Sequence, residues 1–233
     1  MSDNIEKDLK NSKGDIAYTT AKAGLSMIPV LGGVAAEIFS TVITPPISRR
    51  RDEWLIKIAN GLEELQSNFS GFDIAALSQN EIFITTVMHA THAAIKNHHQ
   101  EKLEALKNAV LNSAISINID DNIQLFFINF IDSLTPWHLK ILDFMKNPAF
   151  WFESRNKKLP NIYMGAISSA LEDAFHELKG KRAFYDLIIK DLFSQGLINT
   201  ESIHTVMTGS GVLAPRTTEL GNQFIQYITT PKV

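Results

Sequence analysis

Apolar side chains recur every three or four positions along most of this chain, which is the spacing of one face of an α-helix. One such stripe runs from Arg49 to Leu65, and a second begins near Gln79. The second stripe loses its phase near Asn97, because the apolar positions that follow belong to a different face. We therefore expect a break there and a separate helix over Gln100–Ala114.

The second half of the chain continues the helical pattern. Residues 123–131 are apolar nearly all round, which predicts a helix that is buried from several sides. Thr135 followed by Pro136 predicts a helix start, with threonine as the N-cap and proline in the first turn. Further helices are expected at about 163–178 and 182–195, and a last one near the C-terminus.

The segment 206–212 has a different character, because apolar residues flank the string TGSG. This pattern predicts a small β-hairpin. The resulting order of helices and hairpin is similar to a winged helix-turn-helix, with 182–195 as the recognition helix and 206–212 as the wing. The predicted fold class is all-α with a minor β-hairpin, as an N-terminal helical bundle over 1–134 and a C-terminal winged-helix-like module over 135–233.

An apolar stretch at about 21–46, densest from Ala23 to Val42, is interrupted by Pro29 and by two glycines, which predicts a bent helical hairpin. Three arginines follow it directly. The hairpin could form the core of the bundle, or it could dock on an anionic membrane or a partner protein. The candidate residues for that surface are Met27, Ile28, Val30, Leu31, Ile38, Phe39, Arg49, Arg50 and Arg51.

Charge bears on whether the C-terminal module binds DNA. The whole chain carries a net charge of −3, and residues 135–233 carry only +2. A DNA-binding surface needs more positive charge than this, so the sequence favours a protein partner, with nucleic acid as an alternative. The candidate surface for either partner comprises Arg155, Lys157, Lys158, Lys179, Lys181, Arg182, Lys190 and Arg216.

Catalytic motifs are not apparent in the sequence. The chain has no cysteine, which excludes thiol nucleophiles, thiolate metal ligands and disulfides. His89, His92 and His99 would share one face of an unbroken helix, but the expected break near Asn97 argues against a metal site there. We therefore expect no catalytic, cofactor or metal site, and a cytoplasmic protein, with peripheral membrane association as an alternative.

Several strings carry a family resemblance: IPVLGG, PPISRRRDEW, HHQEKLEALKNAVLNSA, LTPWHLKILDFM and APRTTELGNQFIQYI. With them, nearly the whole chain resembles a family of bacterial hypothetical proteins that have an N-terminal apolar helical hairpin and a C-terminal winged-helix-like region. The resemblance implies a bacterial source but no activity. The expected function is a non-enzymatic interaction protein in a bacterial stress or defence response. A DNA-binding regulator and a membrane-associating effector are the alternatives, and the oligomeric state stays open.

Overall fold

The computed structural model describes Thr41 and residues 43–115 and 117–231. This part of the chain is mostly helical, with one small antiparallel sheet of two strands. It divides into two compact units, one that comprises the described residues up to Ile128 together with Thr230 and Pro231, and one that covers Asn129–Thr229. The six apolar residues proposed for the hairpin surface, Met27 to Phe39, lie outside the described residues.

The first unit begins with helix α1, Thr44–Asn68. Two prolines stand in its first turn, where a backbone N–H would have no partner within the helix. The helix therefore begins earlier than the apolar stripe from Arg49 indicated. Its buried side includes Trp54, whose Nε1 donates to Thr91 Oγ1 over 3.0 Å, and Gly61, where a Cβ would come within 2.9 Å of Leu111.

Helices α2, Glu81–Lys96, and α3, Gln100–Ala114, complete the packing around α1. A 3-10 turn, Ile74–Gln79, precedes α2. The predicted break between the two stripes is confirmed, because residues 97–99 are not helical. Many buried positions of α2 and α3 are alanine, which allows their backbones to approach closely.

Helix α4, Asp121–Ser133, corresponds to the segment that is apolar nearly all round. Phe127, Ile128 and Ile131 are buried, as that pattern indicated. Phe126 is not: 62% of its surface is exposed. The prediction of burial on several sides is therefore correct for most of this helix but wrong for Phe126.

The second unit continues with a series of short helices and two short strands. They are α5, Pro136–Lys146; α6, Pro148–Ser154; β1, Met164–Gly165; α7, Ile167–Ala174; α8, Arg182–Ser194; β2, Met207–Thr208; α9, Gly209–Val212; and α10, Glu219–Ile228. A 3-10 turn, His176–Leu178, separates α7 from α8. The single helix expected at 163–178 is therefore wrong, since this segment contains a strand, a helix and a turn.

The predicted β-hairpin at 206–212 is also wrong. Strand β2 pairs antiparallel with the distant β1, with Met164 opposite Thr208, and the residues after β2 form the short helix α9. Gly209 is required by close approach rather than by a tight turn, because a Cβ there would lie 1.9 Å from the carbonyl oxygen of Ile162. A single antiparallel bridge joins Ile198 to Thr217, so the chain does return on itself after α8.

An aromatic cluster fills the core of the second unit. Phe144 makes edge contacts with Trp151, Phe152 and Phe175, with ring centroids 5.7 to 6.1 Å apart. These contacts hold α5 and α6 against the end of α7. Helix α8 ends at Ser194. Gly196, two residues later, has a φ of 71°, and the amide of Leu197 donates back to the carbonyl oxygen of Leu192, as after a left-handed C-cap.

Candidate functional site

The outer face of α8 carries two large apolar residues that are exposed. Tyr185, Ile188, Ile189 and Leu192 point inward and are buried. The opposite side presents a set that we call the α8 face: Ala183, Phe184, Leu187, Lys190 and Ser194. Phe184 is 41% exposed and Leu187 is 57% exposed. An amphipathic surface helix would normally place polar residues at these positions.

A helix that reads bases in the major groove needs side chains such as arginine, lysine, asparagine or glutamine directed at the base edges. The α8 face offers only Lys190 for this purpose. Its centre, formed by Leu187 with Phe184 beside it, is apolar. This composition suits contact with another protein better than contact with a nucleic acid.

The two acidic residues of α8 are both held by basic groups. One carboxylate oxygen of Asp186 accepts a hydrogen bond from Arg182 Nε over 3.4 Å, and the other lies 2.6 Å from His204 Nε2. Asp191 Oδ2 lies 3.3 Å from Nε2 of His138, which is buried. Asp186 is therefore paired with a guanidinium group, and Asp191 forms a hydrogen bond with an imidazole ring.

Tyr185 anchors α8 from the inside. Its hydroxyl donates to Glu172 Oε1 on α7 over 3.0 Å. Burial and this hydrogen bond raise the pKa of Tyr185 to about 12. The phenol is therefore held in its neutral form and links the two helices.

Thr135, His138 and Asp191 are arranged in a chain that resembles a hydrolase triad. Thr135 Oγ1 lies 2.8 Å from His138 Nδ1, and His138 Nε2 lies 3.3 Å from Asp191. However, the backbone N–H of Thr135 also donates to Nδ1, over 3.2 Å. The ring thus reaches back to the start of its own helix, as the third residue of a capping box does. We assign this arrangement to helix capping, because its supposed base already accepts a backbone hydrogen bond.

The eight basic residues predicted for a partner surface do not form one patch. Arg155 pairs with Asp143 at 3.0 Å and Arg182 pairs with Asp186. Arg216 is half-buried and donates to the carbonyl oxygen of Gly211 over 2.8 Å, so it supports the turn after β2. Within the described part of the chain, Lys181 and Lys190 are exposed and form no ion pair.

Two of the eight residues, Lys157 and Lys158, line a cavity of about 470 Å³. Lys179 lies close by, because it pairs at 3.7 Å with Asp173, which also lines the cavity. This is the one place where the predicted basic residues gather. A second, smaller cavity of about 220 Å³ contains Arg155 with its partner Asp143.

The arginine triplet at the start of α1 is largely neutralised within its own unit. Arg49 lies 3.7 Å from Glu53, and Arg51 lies 2.8 Å from Asp52. Arg50 donates to the carbonyl oxygen of Ile95, near the C-terminal end of α2, where a positive charge is favourable. Among the described residues, no helix has the length and apolar character needed to cross a membrane.

The histidine-rich segment does not form a metal centre in the part of the chain that the structure describes. His89 and His92 are exposed on α2, whereas His98 and His99 stack on each other with ring centroids 4.1 Å apart. No group of three potential ligands from histidine and the carboxylates comes together within residues 43–115 and 117–231.

The sequence pattern predicted 182–195 as the recognition helix, but the exposure of Phe184 and Leu187 was not predicted. A signal was present, because apolar residues occur on every side of 182–195 and not on one stripe. The capping role of His138 and the bond between His204 and Asp186 join residues far apart in sequence, so no local pattern could indicate them.

No protein-family model, curated protein or solved structure matches this chain. The protein is therefore classified by its own structure, as a mostly helical protein with a small antiparallel sheet.

Proposed function

We propose that residues Asn129–Thr229 form a winged-helix-like interaction module, without enzymatic activity, that binds a protein partner through the α8 face. The order of α5, α7 and α8, followed by the bridge between Ile198 and Thr217, supports this description. The single observation that carries the proposal is the exposure of Phe184 and Leu187 at the position of a recognition helix. The proposal places the module in the cytoplasm of a bacterium, in a stress or defence response.

The exposed apolar residues favour a protein over DNA as the partner. Burial of Phe184 and Leu187 against a partner would gain the transfer free energy of two large apolar side chains. The same residues would contribute nothing to phosphate neutralisation. Lys181, just before α8, and Lys190, within the α8 face, would pair with acidic residues of the partner.

Site-specific photo-crosslinking in bacterial cells tests this proposal. A photoreactive phenylalanine at position 187 should give a discrete crosslinked protein, and the same probe in place of Phe126 should not. Phe126 is the matched control, since it is apolar, 62% exposed and located in the other unit. The substitution Phe184→Asp should abolish the crosslink from position 187, whereas Phe150→Asp on α6 should leave it intact.

DNA binding is the competing function. In a gel-shift experiment at low salt, the protein should not retard the migration of random duplex DNA. Strong retardation that falls steeply with salt, and that is lost in the double variant K157A/K158A, would replace the protein-partner proposal by DNA binding.

Membrane association through 23–42 is the remaining alternative. During flotation with vesicles that contain anionic lipid, the protein should stay in the unbound fraction. Co-flotation that is lost when Arg49, Arg50 and Arg51 are replaced by glutamine would favour the membrane alternative instead.

A further inference from the structure

The cavity that contains Lys158 has the residues of a binding site for a small anion. It lies in the second unit, between the loop 157–161 and the end of α7 with the turn that follows it. The cavity is open to solvent: its volume is about 470 Å³, and its polar lining residues are exposed. Its apolar lining consists of Phe152, Leu159 and Pro160, and the rest of its lining is polar.

Lys157 is held in a fixed position at this cavity. Its Nζ donates to the carbonyl oxygen of Ala174, at the C-terminal end of α7, over 2.7 Å. The same ammonium lies 5.1 Å from the centre of the Trp151 ring. An ammonium group has three N–H donors, so two remain for another acceptor.

Three further polar side chains at the cavity have no partner of their own. Lys158, Asn161 and His176 all line it, and none of their side chains bonds to another residue within the described ranges. The one acid of the lining, Asp173, is already paired with Lys179. The cavity therefore combines a net positive charge with several N–H donors that are free to bind a ligand.

We propose that this cavity binds the phosphate group of a small organic phosphate ester. A phosphate monoester carries close to two negative charges at neutral pH and three strong acceptor oxygens. Lys157, Lys158, Asn161 and His176 would supply the donors, and lysine is a common phosphate ligand as a point charge. The organic part of the ester would lie against Leu159 and Pro160.

This proposal does not depend on the α8 face. None of the cavity residues belongs to α8, and the α8 face residues do not line the cavity. Loss of partner binding would therefore leave ligand binding intact. The reverse result, loss of ligand binding with retained crosslinking at position 187, would likewise separate the two proposals.

Titration of the purified full-length protein by isothermal calorimetry tests the inference. The probes are adenosine 5′-monophosphate, adenosine without a phosphate, and inorganic phosphate. The monophosphate should bind saturably, inorganic phosphate more weakly, and adenosine not at all. The heteronuclear NMR signals of the His176 ring should shift with the same saturation curve.

Substitution of the cavity residues should weaken this binding without unfolding the protein. Lys158→Ala and His176→Ala should each raise the dissociation constant for the monophosphate about tenfold, because each removes one N–H donor to the phosphate. Lys190→Ala is the matched control, since it removes an exposed lysine of the same unit that does not line the cavity. Thermal melting curves of all three variants should match that of the parent protein.

Several outcomes would overturn the proposal. Equal affinity for adenosine and its monophosphate would exclude phosphate recognition. Unchanged affinity in Lys158→Ala, or no saturable heat at millimolar probe, would exclude this cavity. Displacement of the monophosphate by random duplex DNA at stoichiometric concentration would assign the same donors to a nucleic-acid backbone instead.

Discussion

His204 Nε2 lies 2.6 Å from Asp186 Oδ1, and this contact ties the segment before β2 to helix α8. The two residues are distant in sequence, and the ring of His204 also stands beside that of Tyr185, with centroids 6.0 Å apart. Ser168 at the start of α7 donates its N–H to the carbonyl oxygen of Ile203, which fixes the same segment from another side. Ile203 and His204 therefore take their position from α7 and α8, and Met207 and Thr208 take theirs from β1, not from a local turn.

Removal of His204 should loosen this segment. In His204→Ala, the amides of residues 203–208 should exchange with deuterium faster, because one side-chain tie to α8 is lost. The amides of α10 should be unaffected. The loss in global stability should be about 1 kcal/mol, since both partners are partly exposed. Exchange followed by mass spectrometry measures the difference, and His176→Ala is the control, because that side chain has no partner within the described ranges.

Tyr185 should make stability depend on pH in the alkaline range. Its pKa in the folded protein is about 12, above the ordinary value of 10.0, because burial and Glu172 favour the neutral phenol. The corresponding stability is fully present below pH 10 and is lost as the pH rises through 12. Its size is on the order of 2 kcal/mol.

Comparison with Tyr185→Phe isolates this contribution. Urea unfolding measures the free energy of unfolding of both proteins at pH 8 and at pH 11. At pH 8 the parent protein should be more stable than Tyr185→Phe, and this difference should be smaller at pH 11. An advantage that stays constant between the two pH values would contradict the assignment.

Gly209 should not tolerate a side chain. A Cβ at this position would lie 1.9 Å from the carbonyl oxygen of Ile162, a backbone atom that cannot move without displacing β1. Gly209→Ala should therefore cost about 2–3 kcal/mol of unfolding free energy. Gly211→Ala is the matched control, since its Cβ would first meet the flexible Met207 side chain at 3.3 Å. Thermal melting of both variants measures the contrast, and equal melting temperatures would disagree with this placement of β1.

Elements set by local pattern could be predicted from the sequence. The break between α2 and α3, the helix start after Thr135 and the left-handed Gly196 all follow from residues within a few positions of one another. Each depends on helix periodicity or capping, which act over one or two turns. For this reason the helical character of the chain was predictable.

Features set by distant contacts could not be predicted in the same way. The string TGSG has the composition of a hairpin turn, but Gly209 is needed because Ile162 approaches its backbone. Met164 and Gly165 fall within the segment where a helix was expected, yet they are extended because Met207 and Thr208 pair with them. The cavity at Lys158 depends on His176 and Asp173, which approach the loop 157–161 only after α7 has packed.

Thr135 and His138 should prove to be stabilising residues of the start of α5. Thr135→Ser keeps an Oγ for the contact with His138 Nδ1 and should leave unfolding free energy nearly unchanged. Thr135→Ala removes the hydroxyl and should cost about 1 kcal/mol, the usual value for loss of an N-cap side chain. His138→Ala should cost more, about 2–3 kcal/mol, because it leaves a cavity at a buried position and removes the partner of Asp191. Urea unfolding monitored by tryptophan fluorescence provides these values. An equal effect of Thr135→Ser and Thr135→Ala would show that the hydroxyl contact does not stabilise the helix start.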